Sequence, residues 1–126
     1  MLFVCKQNAG RSQISEAFFQ RMADGRHQAR SAGTRPADRV HPIVADAMRE
    51  VGFDVATRRP QKLGDELAQW ADIVVTMGCG DECPFVPGKR YVDWDLEDPA
   101  GKSLEEVRQI RDDIKERVTR LAAELG

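Results

Sequence analysis

Residues 2–12 read Leu2-Phe3-Val4-Cys5-Lys6-Gln7-Asn8-Ala9-Gly10-Arg11-Ser12. The apolar run at the start predicts a short buried strand, and Gly10 marks the loop that follows it. Beyond the loop, apolar residues recur at the spacing of an α-helix: Ile14, Ala17, Phe18 and Met22. The segment therefore predicts a strand, a tight loop and a helix, which together form the opening unit of an α/β domain.

The rest of the chain alternates between segments of the same two types. Further helices are predicted from Pro42 and across residues 65–70. A last helix is predicted after Ser103, because Glu106 follows it at the spacing of a capping box.

Strands are predicted at three further places: residues 28–31, 73–76 and 90–94. Residues 73–76 are continuously apolar and rich in β-branched side chains, which is typical of a strand buried on both faces. Strands that alternate with helices pair in parallel through crossover connections. We therefore expect a three-layer αβα domain of the α/β class, with a central parallel sheet of about four strands.

Size and charge restrict the classes of function. The 126 residues are enough for one ordinary domain, so we expect a single domain over residues 1–126. The net charge of −2 gives no electrostatic reason to expect a nucleic-acid partner. No apolar run approaches the roughly 20 residues of a membrane span, and the apolar start is too short for a signal peptide. We therefore expect a cytoplasmic protein without a membrane partner.

The chain contains three cysteines: Cys5, Cys79 and Cys83. An odd number, with two of them close together in the sequence, does not favour a framework of structural disulfides. In a reducing compartment such cysteines are more often catalytic, redox-active or metal-binding. Structural zinc needs four ligands, and Cys79 and Cys83 supply only half of them, so we predict no metal site.

The loop between the first strand and the first helix has the form of an anion-binding site. Backbone N–H groups at a helix amino terminus point towards a common centre and lie at the positive end of the helix dipole. Arg11 adds a planar fork of donors that matches two oxygens of a phosphate-like ligand. The predicted oxyanion-binding residues are Lys6, Gln7, Asn8, Ala9, Gly10 and Arg11.

Cys5 precedes this loop and is the predicted nucleophile. Helix amino termini and nearby cations favour the thiolate, which is the reactive form of cysteine. The hydroxyl group of Ser12 could donate a further hydrogen bond to the sulfur. Asn8 could adopt a left-handed conformation or bond the loop internally. The alternative interpretation is structural, because a single cysteine after an apolar triplet is often a buried core residue.

Five segments of the chain resemble a known family: residues 5–12, 8–17, 31–34, 76–84 and 93–101. The first resembles the phosphate-binding loop of the low-molecular-weight protein tyrosine phosphatase-like family, and the others are similar to its arsenate reductase branch. The resemblance covers essentially the whole chain and implies a thiol-dependent enzyme that reduces arsenate to arsenite. A low-molecular-weight protein tyrosine phosphatase is the alternative within the family, and a non-catalytic oxyanion sensor is an alternative of another class.

The resemblance implies a role for Asp98 as the general acid that protonates the leaving oxygen. Asp98 precedes Pro99, which restricts its backbone to extended or turn conformations. Without the resemblance, the same dipeptide is equally typical of a solvated turn. Asp98 is therefore predicted as a catalytic residue on the strength of the family pattern.

Reduction of arsenate consumes two electrons, so a second thiol must act with Cys5. Cys79, Cys83 or an external thiol can supply it, and either cysteine could instead be an inert packing residue. Gly78 and Gly80 flank Cys79 and would allow that segment to bend. We predict Cys79 and Cys83 as catalytic residues together with Cys5, Arg11, Ser12 and Asp98.

The resemblance also concerns cofactors and partners. It implies no tightly bound cofactor and regeneration by an external thiol reductant, either thioredoxin or mycothiol with mycoredoxin. Some relatives bind a cation through residues that match Asn8, Glu16 and Ser31, but Gln61 stands where a carboxylate is expected. We therefore do not predict a bound potassium ion.

Overall fold

The computed structural model of the chain describes residues 1–79, 83 and 87–126. Within these residues, the central sheet has four strands: β1 (Leu2–Cys5), β2 (Arg30–Gly33), β3 (Ile73–Thr76) and β4 (Arg90–Asp93). The strand order is β2-β1-β3-β4, and every neighbouring pair is parallel. The predicted central parallel sheet is confirmed.

The described residues also form helices on both faces of the sheet: α1 (Arg11–Ala23), α2 (Pro42–Arg49), α3 (Asp65–Trp70) and α4 (Leu104–Leu125). Helices α1, α2 and α4 pack on one face, and α3 packs on the other, which gives the predicted three layers. The predicted capping box is present, because the Glu106 N–H donates to the Ser103 hydroxyl oxygen at 3.2 Å and the Glu106 carboxylate accepts from the Ser103 N–H. No helix within these described ranges is long and apolar enough to cross a bilayer.

Strand β1 is buried on both faces because its side chains alternate between two apolar clusters. Phe3 and Cys5 belong to the cluster formed with α1, α2 and α4, whereas Leu2 and Val4 belong to the cluster formed with α3. Since neither face meets water, this position requires an uninterrupted apolar run.

The register of the sheet brings the carboxyl ends of the strands to one edge. Cys5 of β1 pairs with Gly33 of β2, Val4 pairs with Thr76 of β3, and Thr76 pairs with Asp93 of β4. The segments that follow β1, β3 and β4 therefore leave the sheet at the same edge. This is the edge at which open α/β sheets bind their ligands.

Two strands have limits that differ from the predicted ones. Strand β2 spans Arg30–Gly33 rather than residues 28–31, because pairing with β1 fixes its register and places Arg30 opposite Leu2 and Gly33 opposite Cys5. Strand β4 ends at Asp93, one residue before Trp94, whose side chain joins the core. Local sequence indicates that a strand is present, but its limits depend on the partner strand.

Candidate active site

Cys5 lies at the end of β1 and is 2% exposed. Its sulfur is 3.2 Å from the backbone nitrogen of Asn8 and 2.9 Å from the hydroxyl oxygen of Ser12. Cys5 does not take part in a disulfide. Its sulfur therefore lies within hydrogen-bond distance of a backbone N–H and a hydroxyl group at the amino end of α1.

The hydrogen bonds around Asn8 determine which atom donates to the sulfur. Asn8 has a left-handed backbone with φ 52°, and its side-chain oxygen accepts from the backbone N–H of Gln61 at 2.9 Å. Its amide nitrogen therefore faces Ser12 and donates to the Ser12 hydroxyl oxygen at 2.7 Å. Since a hydroxyl group has a single proton, the Ser12 proton is left to point at Cys5.

The backbone of the loop turns its N–H groups away from the neighbouring segment. Four carbonyl groups between residues 5 and 9 accept hydrogen bonds from N–H groups of residues 34–41, at 2.8 to 3.2 Å. In a trans peptide the carbonyl and the following N–H point in opposite directions. The N–H that follows Gln7 belongs to Asn8 and is directed at the Cys5 sulfur. Within the described residues, no acceptor is bound to the N–H groups of Lys6, Gln7 and Gly10.

The loop is held closed by contacts that sequence analysis did not predict. Gln13 is buried and donates from its amide nitrogen to the backbone oxygen of Asn8 at 3.1 Å. A Cβ atom at Gly33 would lie 2.6 Å from the backbone oxygen of Lys6 and 2.8 Å from the nitrogen of Asn8. Glycine is therefore required where β2 ends against the loop.

Arg11 joins the loop to the segments that follow β3 and β4. Its guanidinium donates to the backbone oxygen of Leu96 at 3.1 Å, and the residue is only 7% exposed. Gly78 lies directly against it, because a Cβ atom at this position would be 2.8 Å from the Arg11 Cζ atom. The segments that follow β1, β3 and β4 therefore meet at Arg11.

Asp98 lies on the same side of the site. One of its carboxylate oxygens is 3.7 Å from the Arg11 guanidinium, and the other accepts from the backbone N–H of Ala100 at 3.0 Å. The side chain is 51% exposed. Pro99 packs against Gly10, since a Cβ atom at Gly10 would lie 2.7 Å from the Pro99 ring. Asp98 therefore lies beside the Arg11 guanidinium with its side chain half exposed to solvent.

Cys79 and Cys83 form a disulfide, with their Cα atoms 5.1 Å apart. That separation is within the usual range for a disulfide. Cys79 is 6% exposed, whereas Cys83 is partly exposed. Four residues of the segment 76–84 lie outside the described residues: Gly80, Asp81, Glu82 and Pro84.

A profile described as "Low molecular weight phosphotyrosine protein phosphatase" matches residues 1–126. The chain belongs to this family. The recognition of the family is therefore confirmed. Residues 5–12, on which it was based, run from the last residue of β1 to the second residue of α1.

Curated relatives of this family member carry arsenate reductase names. It is 43% identical to the "Putative arsenate reductase" of Halobacterium salinarum, over 98% of this chain and 91% of the relative. It is 38% identical to the "Glutaredoxin arsenate reductase" of Synechocystis sp., over 100% of this chain and 98% of the relative.

A solved structure with the same fold is that of the thioredoxin-dependent arsenate reductase of Corynebacterium glutamicum. The TM-score is 0.83 at 39% sequence identity, and the match covers 98% of this chain. This chain spans 59% of the length of that protein.

A second polar cluster lies behind the loop of this family member. The Glu16 carboxylate accepts from the Ser31 hydroxyl at 2.9 Å and from the Arg58 guanidinium at 3.0 Å. Burial raises the pKa of Glu16, and the hydrogen bonds from Ser31 and Arg58 act in the opposite direction. The Gln61 side chain donates to the backbone oxygen of Ser31 at 2.8 Å. In the part of the chain that the structure describes, no group of three or more His, Cys, Asp or Glu side chains could hold a metal ion.

Proposed function

We propose that this chain is a thiol-dependent arsenate reductase that uses Cys5 as its nucleophile and Cys79 and Cys83 as its redox pair. The observation that carries the proposal is the state of the cysteines. Cys5 is a free thiol among hydrogen-bond donors, while Cys79 and Cys83 form a disulfide in the segment that follows β3 at the same sheet edge. A hydrolytic phosphatase has no need of such a pair, because water completes its cycle.

Arsenate would bind as a phosphate-like oxyanion over the Cys5 sulfur. The N–H groups of Lys6, Gln7 and Gly10 have no acceptor among the described residues and would receive its oxygens. Arg11 would supply charged donors on the other side of the anion. The net charge of the chain is −2, so binding would depend on this local set of donors rather than on the overall field.

Chemistry would begin with attack of the Cys5 thiolate on arsenic. An As–S bond forms, an As–O bond breaks, and Asp98 protonates the departing oxygen, which leaves as water. The Ser12 hydroxyl, which faces the sulfur at 2.9 Å, would stabilise the thiolate before attack.

Reduction requires two electrons from two thiols. A second thiolate, which we assign to Cys79, attacks the Cys5 sulfur, and the electron pair of the S–As bond leaves with arsenic as arsenite. Cys83 then attacks the Cys79 sulfur and releases the Cys5 thiolate. This sequence ends with a Cys79–Cys83 disulfide and a free Cys5, which is the arrangement in the structure.

An external thiol would then reduce the disulfide, and no tightly bound cofactor is needed. The relatives named as thioredoxin-dependent and glutaredoxin arsenate reductases support a protein dithiol as the reductant, and mycothiol with mycoredoxin is a further candidate. Because the cycle returns to free thiols, we propose that the enzyme works in the reducing cytoplasm. We also propose that residues 1–126 form a single catalytic domain.

The decisive experiment measures arsenite release with thioredoxin, glutathione–glutaredoxin or mycothiol–mycoredoxin supplied separately. We expect Cys5→Ser to abolish release with every reductant, because no other described thiol lies in the oxyanion loop. Cys79→Ser and Cys83→Ser should abolish multiple turnover while leaving Cys5 able to react once.

Two results would contradict the proposal. Wild-type turnover by Cys5→Ser would remove the nucleophile from the mechanism. Hydrolysis of p-nitrophenyl phosphate at rates far above arsenate reduction would assign the chain to the phosphatase branch instead.

A further inference from the structure

A cleft of about 580 Å³ lies between the carboxyl ends of β3 and β4. Its walls include Thr76, Gly78, Cys83, Asp93, Asp95 and Leu96. The volume is in the range of pockets that accept small organic ligands. The disulfide is therefore reached from solvent through a defined space, and the walls of that space decide which thiols approach it.

The two sulfurs of the disulfide are not equally accessible. Cys79 packs in the apolar cluster with Leu2, Val4 and Val74, whereas Cys83 is partly exposed and lines the cleft. A thiolate that enters the cleft would attack the Cys83 sulfur, form a mixed disulfide with it and release Cys79 as a thiolate. A second donor thiolate would then attack the donor sulfur, release the Cys83 thiolate and complete the transfer of two electrons.

The charges around this path are negative. The Asp93 carboxylate accepts from the Thr76 hydroxyl at 2.7 Å, and Asp95 is exposed. Among the described residues, neither carboxylate forms an ion pair. Two carboxylates without a counter-ion among the described residues therefore line the cleft that leads to Cys83.

The nearby cations do not compensate for these carboxylates. Arg11 is buried and directs its guanidinium to the Leu96 carbonyl and to Asp98. Arg90 lies at the opposite end of β4 from Asp93 and pairs with Glu124 at 3.0 Å. Among the described residues that line the cleft, the charged side chains are therefore those of Asp93 and Asp95.

We propose that this acidic cleft selects the reductant by charge, so that thiols carrying a neutral or cationic body reduce the Cys79–Cys83 disulfide faster than thiols with an anionic body. The inference rests on the proposed function, which explains why the disulfide is formed and must be reduced in each cycle. Every attacking thiolate is itself anionic, so the remaining charge of the donor decides the difference between donors. Repulsion of this kind acts over about a Debye length, roughly 10 Å at 0.1 M salt.

The test uses the oxidised full-length protein and three small thiols of similar size: cysteamine (cationic), 2-mercaptoethanol (neutral) and 2-mercaptoethanesulfonate (anionic). Alkylation after timed quenching and intact-mass analysis gives the rate of loss of the disulfide. Each rate is divided by the rate of the same thiol with a neutral small disulfide, which removes differences in intrinsic reactivity. We expect the corrected rate for cysteamine to exceed that for the sulfonate by about tenfold, which corresponds to about 1.4 kcal/mol. The ratio should shrink at high salt.

Variants assign the effect to the cleft. The double variant Asp93→Asn with Asp95→Asn should reduce the ratio of the cysteamine rate to the sulfonate rate to about threefold or less, because the loss of both negative charges removes most of the repulsion. Asp95→Asn alone keeps the Thr76–Asp93 hydrogen bond and should lower the ratio partway, which covers the case in which the double variant fails to fold. Asp24→Asn is the matched control, since Asp24 is exposed at the far end of α1 with φ 46°, a conformation that asparagine tolerates.

A corrected ratio near one for the wild-type protein would overturn the inference, and so would a ratio that both cleft variants leave unchanged. The assay contains no arsenate. A protein that fails to reduce arsenate but shows the charge preference would therefore refute the proposed function alone, and the reverse result would refute the charge selection alone.

Discussion

The end of β1 and the segment after β3 both carry cysteine at the same edge of the sheet, but the surroundings of the two cysteines differ. Cys5 is enclosed, and its sulfur meets the Ser12 hydroxyl and the Asn8 N–H. Cys83 is partly exposed, lines an open cleft and is bonded to another sulfur. A sulfur that attacks a small oxyanion benefits from enclosed donors, whereas a sulfur that exchanges with an external thiol must be open to it.

The two regions nevertheless meet at one contact. Gly78 follows β3 and lies against the guanidinium of Arg11, which belongs to the oxyanion loop. Its φ of +85° also suits glycine. The two regions are therefore in direct contact through Gly78 and Arg11, the residue that we propose binds the oxyanion.

The largest effect in this comparison should come from Gly78→Ala. The added Cβ would overlap the Arg11 guanidinium, so Arg11 should leave the Leu96 carbonyl and lose its alignment with the oxyanion. We expect kcat/KM for arsenate to fall roughly 100-fold or more, the size of effect seen when one anion-stabilising donor is removed. Arsenite release at several arsenate concentrations measures it.

Gly88→Ala provides the matched control for this substitution. Gly88 has the same φ of +85°, but a Cβ atom there would meet no atom within 4 Å. Both variants should lose about 1–2 kcal/mol of stability through backbone strain, and only Gly78→Ala should lose activity. Equal losses of activity would show that the contact with Arg11 is not required.

A smaller effect should follow from Ser12→Ala, which tests the enclosed surroundings of Cys5. The variant removes the O–H donor that the Asn8 amide directs at the Cys5 sulfur. A hydrogen bond to a charged group contributes about 1.5–3 kcal/mol, so we expect alkylation of Cys5 by iodoacetamide at pH 6 to slow by about tenfold or more.

Ser15→Ala controls for the loss of a buried hydroxyl in the same helix. Ser15 donates to the backbone oxygen of Arg11 at 2.8 Å and makes no hydrogen bond to Cys5. The rate of Cys5 alkylation in Ser15→Ala should match that in the wild-type protein. Reduction of the Cys79–Cys83 disulfide by 2-mercaptoethanol should be unchanged in both variants, and a change there would mean that the two regions are less separate than the structure indicates.

Features that depend on neighbouring residues in sequence were predicted correctly. The capping box of Ser103 and Glu106 involves residues within one helical turn. Asn8 adopts the left-handed backbone that its side chain tolerates, and it also bonds the loop internally. The β-branched run at residues 73–76 forms β3 with the predicted limits.

Features that depend on distant pairs were not predicted. The Gln61 N–H, which orients the Asn8 side chain, lies more than fifty positions away in sequence, and no local pattern marks it. Gly78 was identified only as a flexible neighbour of Cys79, whereas the structure shows that it is needed for the approach of Arg11. The assignment of Asp98 came from the family resemblance, because a carboxylate beside a proline has no distinctive local signature.

The smallest expected effect concerns a region remote from both cysteine segments, where α2 meets α4. Glu50 accepts hydrogen bonds from Arg108 at 2.6 and 2.9 Å and from Arg111 at 2.9 Å. The hydrogen bonds from Arg108, followed by the one from Arg111, lower the pKa of Glu50 from 4.5 to about 2. Because the folded pKa lies below the unfolded one, the carboxylate stabilises the fold above pH 4.5, and this contribution is lost as the pH falls towards 2.

Glu50→Gln should therefore lower the urea midpoint at pH 7, and the difference from the wild-type protein should vanish as the pH is lowered through this window. Glu116→Gln, in a surface pair with Arg120, should change the midpoint less. Both variants should keep wild-type arsenate turnover, because neither glutamate contacts the two cysteine segments. If the difference in urea midpoint between Glu50→Gln and the wild-type protein increased at low pH, the protonated rather than the ionised form of Glu50 would stabilise the fold. If Glu50→Gln lost arsenate turnover without losing stability, the α2–α4 contact would belong to the active site. The two cysteine segments would then not be independent of the rest of the fold.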